Sequence, residues 1–196
     1  METNNHKILK FKALEYLFLT KGCKYVTTEL KFGDYIFDCI GTDGQFVYIV
    51  EAKQAKEDFL ADCNKKEDIK ENIQKYKQLL KETADVKKYK ELIEKEQAKS
   101  YKFYDDSLLK LAIERYIIAP EDLIQKNEVP EEWGLLEVNE EGKIIKEKKS
   151  TISQYEHKFK DLVIREIARR NTKLYLESLD VSFEEKVITF PNLLLE

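Results

Sequence analysis

The chain contains little cysteine and little histidine. Among its 196 residues are three cysteines, Cys23, Cys39 and Cys63, with no CxxC pair. Three thiols are too few for a four-thiolate zinc or iron–sulfur site, and their wide spacing predicts reduced, buried side chains in a cytoplasmic protein. The two histidines, His6 and His157, are isolated in the sequence, so we assign neither a ligand role.

Long apolar segments and a dominant sign of charge are also missing. No apolar run approaches the ~20 residues that span a bilayer, so we expect no membrane partner. The polar start METNNHKILKFK leads straight into an amphipathic pattern, which predicts no signal peptide. The formal net charge is only −4, so a DNA site would have to be a local basic patch.

The first third of the chain predicts a helix followed by an antiparallel meander. Apolar residues recur at helical spacing over Lys7–Thr20, with Ile8, Phe11 and Leu14 on the predicted stripe. The predicted strands cover Tyr25–Leu30, Tyr35–Ile40 and Gln45–Lys53, with the turn GTDG at Gly41–Gly44.

The remainder predicts two helices and then a mixture of strands and helices. Segment 66–102 is rich in lysine and glutamate, and a break near 83–85 divides it into a helical hairpin. The further predictions are helix at Leu108–Glu114, strand at Arg115–Ala119, short helix at Glu121–Lys126, strands at Trp133–Val138 and Lys143–Lys148, long helix at Ile152–Leu179, and an apolar tail that adds a strand or docks.

These elements predict a single α/β domain over residues 1–196, with 66–102 as a helical hairpin insertion. Charged residues make up 37% of the chain, above the ~25% of typical domains, which long solvated helices explain. Lysines and acids are nearly balanced in the hairpin, so a solvated appendage is favoured over an arm that touches DNA. A homodimer through the hairpin is compatible with the sequence, although nothing requires it.

One Glu-x-Lys triplet is distinguished by its context. Six such triplets occur, but only Glu51-Ala52-Lys53 ends a strongly apolar strand. Residues i and i+2 of a strand share a face, so Glu51 and Lys53 should lie side by side. Asp38 lies in the preceding apolar strand, where a desolvated carboxylate needs a partner. Mg²⁺ or Mn²⁺, held by Asp38, Glu51 and the Ala52 carbonyl, would satisfy both carboxylates.

The neighbouring polar residues suggest further roles at such a site. Lys53 would hold the attacking water and offset charge that develops on the phosphate oxygens. Gln54 could orient a ligand water or a phosphate. Glu15, on the first helix, could reach the metal through water or could simply face solvent.

Asp34 competes with Asp38 as the partner of Glu51. A hairpin that is symmetric about Gly41–Gly44 would place Asp34 opposite Glu51. Asp34 follows a glycine at a strand entrance, however, which is an ordinary turn position for aspartate. We therefore favour Asp38, which a twisted strand or a bulge would bring close enough.

The order of these residues resembles that of the PD-(D/E)xK nuclease superfamily. That core consists of a helix, a three-stranded meander, a helix and a strand, with Asp on the second strand and Glu-x-Lys on the third. The resemblance implies a restriction-endonuclease-like core and metal-dependent cleavage of DNA, in repair or in processing of foreign DNA. Phe37 replaces the proline of the motif name, at a position that is loose in the superfamily.

A closer resemblance is to the MmcB-like family of DNA-repair nucleases. Its E-V-K and D-F-x-x-D motifs are similar to Glu51-Ala52-Lys53 and Asp58-Phe59-x-x-Asp62, at the same offset. ERYIIAP, WGLLEV…GKIIK and IREIARR look like the family's next strand, final hairpin and closing helix. The similarity covers most of residues 7–176. Asn64 replaces the family's lysine and the following tryptophan is missing, which puts the helix facing the substrate in doubt.

A basic stripe on the last long helix is the candidate DNA contact. It comprises Arg165, Arg169, Arg170 and Lys173, whose spacing suits backbone phosphates as well as it suits an ordinary solvated face. The alternative function is a non-catalytic nucleic-acid-binding or scaffold protein that retains the fold. Intact Asp38, Glu51 and Lys53 favour the enzyme, because a scaffold needs none of them.

Overall fold

Six strands form one mixed sheet in chain order. The structure is a computed structural model that describes residues 3–32, 35–82, 86–97, 103, 110–152, 156–178, 182–184 and 187–189. The strands are β1 (Tyr25–Phe32), β2 (Tyr35–Thr42), β3 (Val47–Ala52), β4 (Glu114–Pro120), β5 (Gly134–Val138) and β6 (Ile144–Lys148). β1 to β3 are antiparallel, β3 to β5 are parallel, and β6 is antiparallel to β5. The predicted α/β class and the meander are therefore confirmed.

Helices cover the sheet and extend from it. They are α1 (Asn4–Glu15), a π-helical turn (Tyr16–Thr20), α2 (Lys56–Glu82), α3 (Val86–Gln97), a 3₁₀ turn (His157–Phe159) and α4 (Lys160–Ser178). Two short strands, β7 (Ser182–Glu184) and β8 (Val187–Thr189), pair separately. Within the ranges given above, no helix combines the length and the apolar character needed to cross a membrane.

The side chains of the sheet divide between two apolar layers. One layer packs strand residues against α2 and α4: Phe37, Ile40, Val47, Ile49, Phe59, Ile117, Leu135, Val163 and Ile167. The other packs against α1: Leu9, Ala13, Leu17, Cys39, Tyr48, Val50, Ala52, Ile118 and Leu136. Because successive strand residues point to opposite faces, neighbours along β3 lie in different layers.

The first helix buries only part of the predicted stripe, since Leu14 packs partly against the sheet. Ile8 and Phe11 are 52% and 63% exposed, whereas Leu9 and Ala13 pack on the sheet. Apolar residues occupy two sides of α1, and spacing alone does not tell which side the sheet covers. Gly22 adopts φ 66° just beyond the π-helical turn, a left-handed conformation that glycine commonly takes after a helix end.

The turn between β2 and β3 lies later than predicted. Gly41 and Thr42 belong to β2, and the last pair of the ladder is Thr42 with Val47. Asp43 accepts hydrogen bonds from the backbone N–H groups of Gln45 and Phe46, which closes the longer loop. The register therefore shifts by four residues relative to a hairpin symmetric about Gly41–Gly44.

Several other boundaries also differ from prediction. Glu121–Lys126 forms turns instead of a short helix, and α4 begins at Lys160 instead of Ile152. Glu114 opens β4, and 104–109 lie outside the described residues, as do Asp34, 83–85 and 190–196. All three cysteines are thiols without a disulfide, and of the three only Cys23 and Cys39 are fully buried.

Candidate functional site

The end of β3 separates two polar environments. Ile49 lies in the layer that faces α2, so alternation places Glu51 and Lys53 on that side. Ala52 packs in the layer that faces α1, which places Gln54 on the opposite side. Glu51 is 1% exposed and Lys53 is 6% exposed, so both charges are withdrawn from water.

Lys53 lies in an acidic setting on the α2 side. Its Nζ is 2.6 Å from Asp62 Oδ2 and 3.8 Å from Asp58 Oδ2, and it lies 5.9 Å from the centre of the Phe103 ring. Burial lowers the pKa of Lys53, but the Asp62 hydrogen bond and the charges of Asp62, Asp58 and Glu51 outweigh it and hold the pKa above its ordinary value. Lys53 is therefore a fixed cation near neutral pH and not a proton acceptor.

Asp38 lies at an irregularity between β1 and β2. Ladder pairs run from Tyr25 with Thr42 to Thr28 with Cys39, and resume at Leu30 with Phe37, without Glu29 and Asp38. Phe37 and Cys39 pack in opposite layers although they are two residues apart, so the strand rotates at Asp38.

The consequence is that Asp38 turns toward α1. Continuing the β2–β3 register from Cys39 and Val50 puts Asp38 across from Glu51. Its Oδ2 accepts a 2.9 Å hydrogen bond from the backbone N–H of Ala52, and it lies 3.7 Å from His6 Nε2. The two carboxylates thus flank one strand end, with Asp38 on the α1 side and Glu51 on the α2 side.

A cleft of about 610 Å³ opens beside Asp38 on the α1 side. Its lining includes His6, Lys10, Glu29, Asp38, Gln54 and Arg170. Gln54 is hydrogen-bonded to Thr3, the N-cap of α1, so its amide ties the strand end to the helix start. Three of these six side chains are basic types and two are carboxylates, so both signs of charge meet in the cleft.

The donor chemistry at this strand end suits magnesium or manganese. Both ions prefer hard oxygen ligands, and the carboxylates at this strand end are Asp38, which accepts the Ala52 N–H on the α1 side, and Glu51 on the α2 side. Over the described ranges, no group of three or more His, Cys, Asp or Glu side chains could hold a metal. A cation here would accordingly keep several of its waters.

Glu15 is not brought to this group. Its Oε2 lies 2.6 Å from Lys12 Nζ, and it lines a separate cavity with Tyr16 and Ile144, at the other end of α1 from His6. Glu15 is the last residue of α1, whereas His6 and Lys10, which contact Asp38, lie earlier in the helix. The Glu15 carboxylate is therefore not among the groups around Asp38. The expected reach of Glu15 to a shared metal finds no support in this arrangement.

The basic stripe on α4 divides between solvent and the cleft. Arg169 is 83% exposed and pairs only loosely with Glu166, while Lys173 lies 3.6 Å from Glu177. Arg165 donates from Nε to its own helix, at the Asp161 carbonyl. Arg170 alone of the four lines the cleft, where its Nη2 lies 3.5 Å from Glu29 Oε2.

Sequence reasoning left several residues out of the site that the structure brings there. Asp58 and Asp62 were visible as an i, i+4 pair at the start of α2, and their spacing could have placed both on the face toward Lys53. Lys10 and Glu29 gave no such signal. They meet only because α1 crosses the sheet beside the irregularity in β1.

The structure defines an α/β protein with a mixed six-stranded sheet, and comparisons with known proteins address the fold alone. No protein-family model matches the chain, and no curated protein matches it either. A solved structure, the SPO1766 protein of unknown function from Silicibacter pomeroyi, is similar with a TM-score of 0.55 and 11% identity. The similarity covers 92% of this chain and 94% of that one, and it shows a shared fold.

Proposed function

We propose that this protein is a metal-dependent nuclease with a restriction-endonuclease-like core, which hydrolyses phosphodiester bonds of DNA in the cytoplasm. The observation that carries the proposal is the end of β3. There a buried carboxylate and a buried ammonium share one side, and Asp38 bonds to the peptide between them. Buried charges whose pKa is shifted by specific partners, as that of Lys53 is, cluster at functional sites, so their presence at one strand end favours a chemical role.

Asp38 and Glu51 would hold a divalent ion, with the Ala52 carbonyl as a third donor. The ion would polarise the phosphodiester and lower the pKa of a bound water. Lys53 would stabilise negative charge on the phosphate oxygens, since its raised pKa keeps it protonated. Asp62 would act as a positioning residue that fixes the Lys53 ammonium at the end of β3.

DNA would approach over the cleft on the α1 side. His6, Lys10 and Arg170 line that cleft and could contact phosphates, because contacts to phosphate fix the register of a nucleic acid without reading its sequence. With a net charge of −4, binding would depend on this local group of cations.

The rival proposal is a nucleic-acid-binding protein without catalysis. The observation that favours it is the 2.6 Å contact of Lys53 with Asp62, which directs the ammonium toward α2 instead of the cleft. A binding protein would use the cleft cations and would need neither Glu51 nor Lys53.

One experiment separates the two proposals. Plasmid and single-stranded DNA are incubated with the protein in Mg²⁺, Mn²⁺ or EDTA, beside Lys53→Met and the matched control Lys56→Met. Lys56 is the first residue of α2. Like Lys53 it pairs with an acid, here Glu128, but it does not lie at the end of β3. We expect cleavage by the wild type and the control, and a loss of roughly 100-fold or more in Lys53→Met.

Two results would contradict the nuclease proposal. Cleavage that survives unchanged in Lys53→Met, with folding confirmed by circular dichroism, would remove Lys53 from the mechanism. Absence of cleavage by the wild type on every substrate, with DNA binding retained, would favour the rival.

A further inference from the structure

We infer that Lys10 and Arg170 form a phosphate-binding subsite in the cleft and that the Glu29 carboxylate occupies this subsite when no nucleic acid is bound. The inference rests on the proposed function, from which it takes DNA as the ligand. It adds a binding subsite for one phosphate group and a carboxylate of the same chain that competes for this subsite.

Two cations converge on the two oxygens of Glu29. Lys10 Nζ lies 2.7 Å from Oε1, and Arg170 Nη2 lies 3.5 Å from Oε2. An ammonium and a guanidinium on separate oxygens of one anion are the donors that a phosphate group would also require. The Glu29 carboxylate is thus a stand-in for a phosphate at this position.

Arg170 keeps unused donor capacity beside the cleft. Its Nε is buried and has no hydrogen-bond partner in the part of the chain that the structure describes. A buried donor left unsatisfied is unfavourable, and a carboxylate has fewer oxygens than a phosphate with which to satisfy it. A phosphate in the cleft could engage both Nη2 and Nε.

Glu29 is displaceable, whereas Lys10 is fixed. The Glu29 side chain is 47% exposed, and its backbone adopts φ 52°, the left-handed region that residues with a Cβ rarely enter. The Lys10 side chain is 9% exposed and also lies 3.9 Å from Asp38. Exposed ion pairs contribute little stability, so a phosphate could replace the Glu29 carboxylate at small cost.

The left-handed backbone at Glu29 also links the subsite to the candidate catalytic end of β3. Glu29 and Asp38 are the two residues missing from the β1–β2 ladder, and both contact Lys10. A phosphate held by Lys10 would therefore lie beside Asp38. Backbone outliers of this kind occur preferentially at functional sites.

The test measures binding of fluorescein-labelled single-stranded and duplex DNA in EDTA, so that no cleavage interferes. Arg170→Gln is compared with the control Arg169→Gln, which removes the same charge one residue away at a fully solvated position. We expect Arg170→Gln and Lys10→Gln to weaken binding roughly tenfold, and Arg169→Gln to change it less than twofold.

A substitution at Glu29 should change DNA affinity in the opposite direction. Glu29→Gln removes the competitor and should tighten binding several-fold, while the control Glu177→Gln, also at 47% exposure, should leave it unchanged. Loss of one phosphate contact should reduce the slope of log affinity against log salt by about 0.9 for duplex DNA in Arg170→Gln. A merely structural role for Arg170 would not change that slope.

Oligonucleotides with and without a 5′-phosphate identify which phosphate is bound. Equal weakening of both by Arg170→Gln indicates a backbone phosphate, and weakening of the phosphorylated one alone indicates a strand end. The inference is overturned if Arg170→Gln binds like the wild type, if Arg169→Gln weakens binding as much, or if Glu29→Gln fails to tighten it.

Failure of the subsite is distinguishable from failure of the nuclease proposal. Cleavage that depends on Lys53, together with normal binding by Arg170→Gln, would remove the subsite alone. A wild type that cleaves nothing but loses affinity in Arg170→Gln would remove the nuclease and keep the subsite. Thermal melting of each variant confirms folding, and Arg170→Gln tests the subsite independently if Lys10→Gln is unstable, because the Arg170 side chain is less buried than that of Lys10.

Discussion

The two sides of the β3 end differ in how they accommodate charge. On the α2 side, Lys53 is buried and held by Asp62 and Asp58 at fixed short distances. On the α1 side, Asp38 faces an open cleft with His6 and Lys10 at 3.7 Å and 3.9 Å. The buried lysines of the two sides differ in their closest acidic partner, because Asp62 beside Lys53 is 24% exposed whereas Glu29 beside Lys10 is 47% exposed.

The physical basis of the difference is the solvent access of the acidic partner, since Lys53 and Lys10 are themselves about equally buried. Charges in a low-dielectric interior interact strongly, and removing one partner leaves the other unsolvated. A carboxylate that is nearly half exposed, as Glu29 is, is screened by water, so its ion pairs contribute less to stability and can be exchanged for a ligand. We therefore expect stability to depend mainly on the α2 side and ligand binding mainly on the α1 side.

The largest expected effect on stability is that of Asp62→Ala. Removing the main partner of buried Lys53 should lower the free energy of unfolding by about 2–3 kcal/mol, less than the ~3–5 kcal/mol of a fully buried pair, because Asp58 remains nearby. Urea denaturation followed by circular dichroism measures it. The control Asp161→Ala, at an 81% exposed carboxylate, should change stability by less than about 0.5 kcal/mol. Equal effects of the two variants would contradict the comparison.

The pH dependence of stability should depend on the same pair, Lys53 and Asp62. Burial raises the pKa of Asp62, but the Lys53 hydrogen bond and charge and the contact with Lys65 outweigh it and hold the pKa below its ordinary value. A depressed folded-state pKa stabilises the fold above the unfolded value of about 3.9, and this contribution is lost as the pH falls through the folded-state pKa.

The Lys53 contribution has the opposite sign of pH dependence. Its pKa is raised by its acidic partners, so its stabilisation is complete below the unfolded value of about 10.4 and is lost as the pH rises through the folded-state pKa. The stability difference between the wild type and Asp62→Ala should therefore be flat near neutral pH and shrink at both extremes. Urea melts across the pH range measure it, and a difference that grew in acid would show the sign to be wrong.

A smaller effect is expected for Asp38→Asn. The amide oxygen can still accept the N–H of Ala52, so the free energy of unfolding should fall by less than about 1 kcal/mol, the usual net contribution of a hydrogen bond. Asp38→Ala removes the acceptor and should cost more than Asp38→Asn. If Asp38→Asn destabilised the protein as much as Asp62→Ala, the two sides of β3 would not differ as described.

The smallest effect is expected for Gln54→Ala. Its amide is bonded to Thr3 at an exposed position, so the loss should be a few tenths of a kcal/mol, roughly at the low end for a hydrogen bond. Amide hydrogen exchange should locate the change at the start of α1, since Thr3 also accepts the backbone N–H of His6. Faster exchange throughout the sheet would instead indicate that Gln54 supports the core.

Much of the fold could be predicted because it depends on local pattern. Apolar alternation and turn residues predict the meander, because both act between neighbours along the chain. The buried face of α1 could not be predicted, since Leu9 and Ile8 are both apolar and only the position of the sheet selects between them. Likewise, the choice between Asp34 and Asp38 depended on a register that loop closure by Asp43 sets.

The sequence by itself determined the α/β class, the meander and the shared side of Glu51 and Lys53, because strand alternation is a property of the covalent chain. Only the tertiary structure decided which residues surround that pair. Asp62 reaches Lys53 because α2 folds back over the sheet, and Lys10 meets Glu29, Asp38 and Arg170 because α1 and α4 converge on the irregularity between β1 and β2. Such contacts join residues far apart in the chain, so they depend on packing and not on spacing.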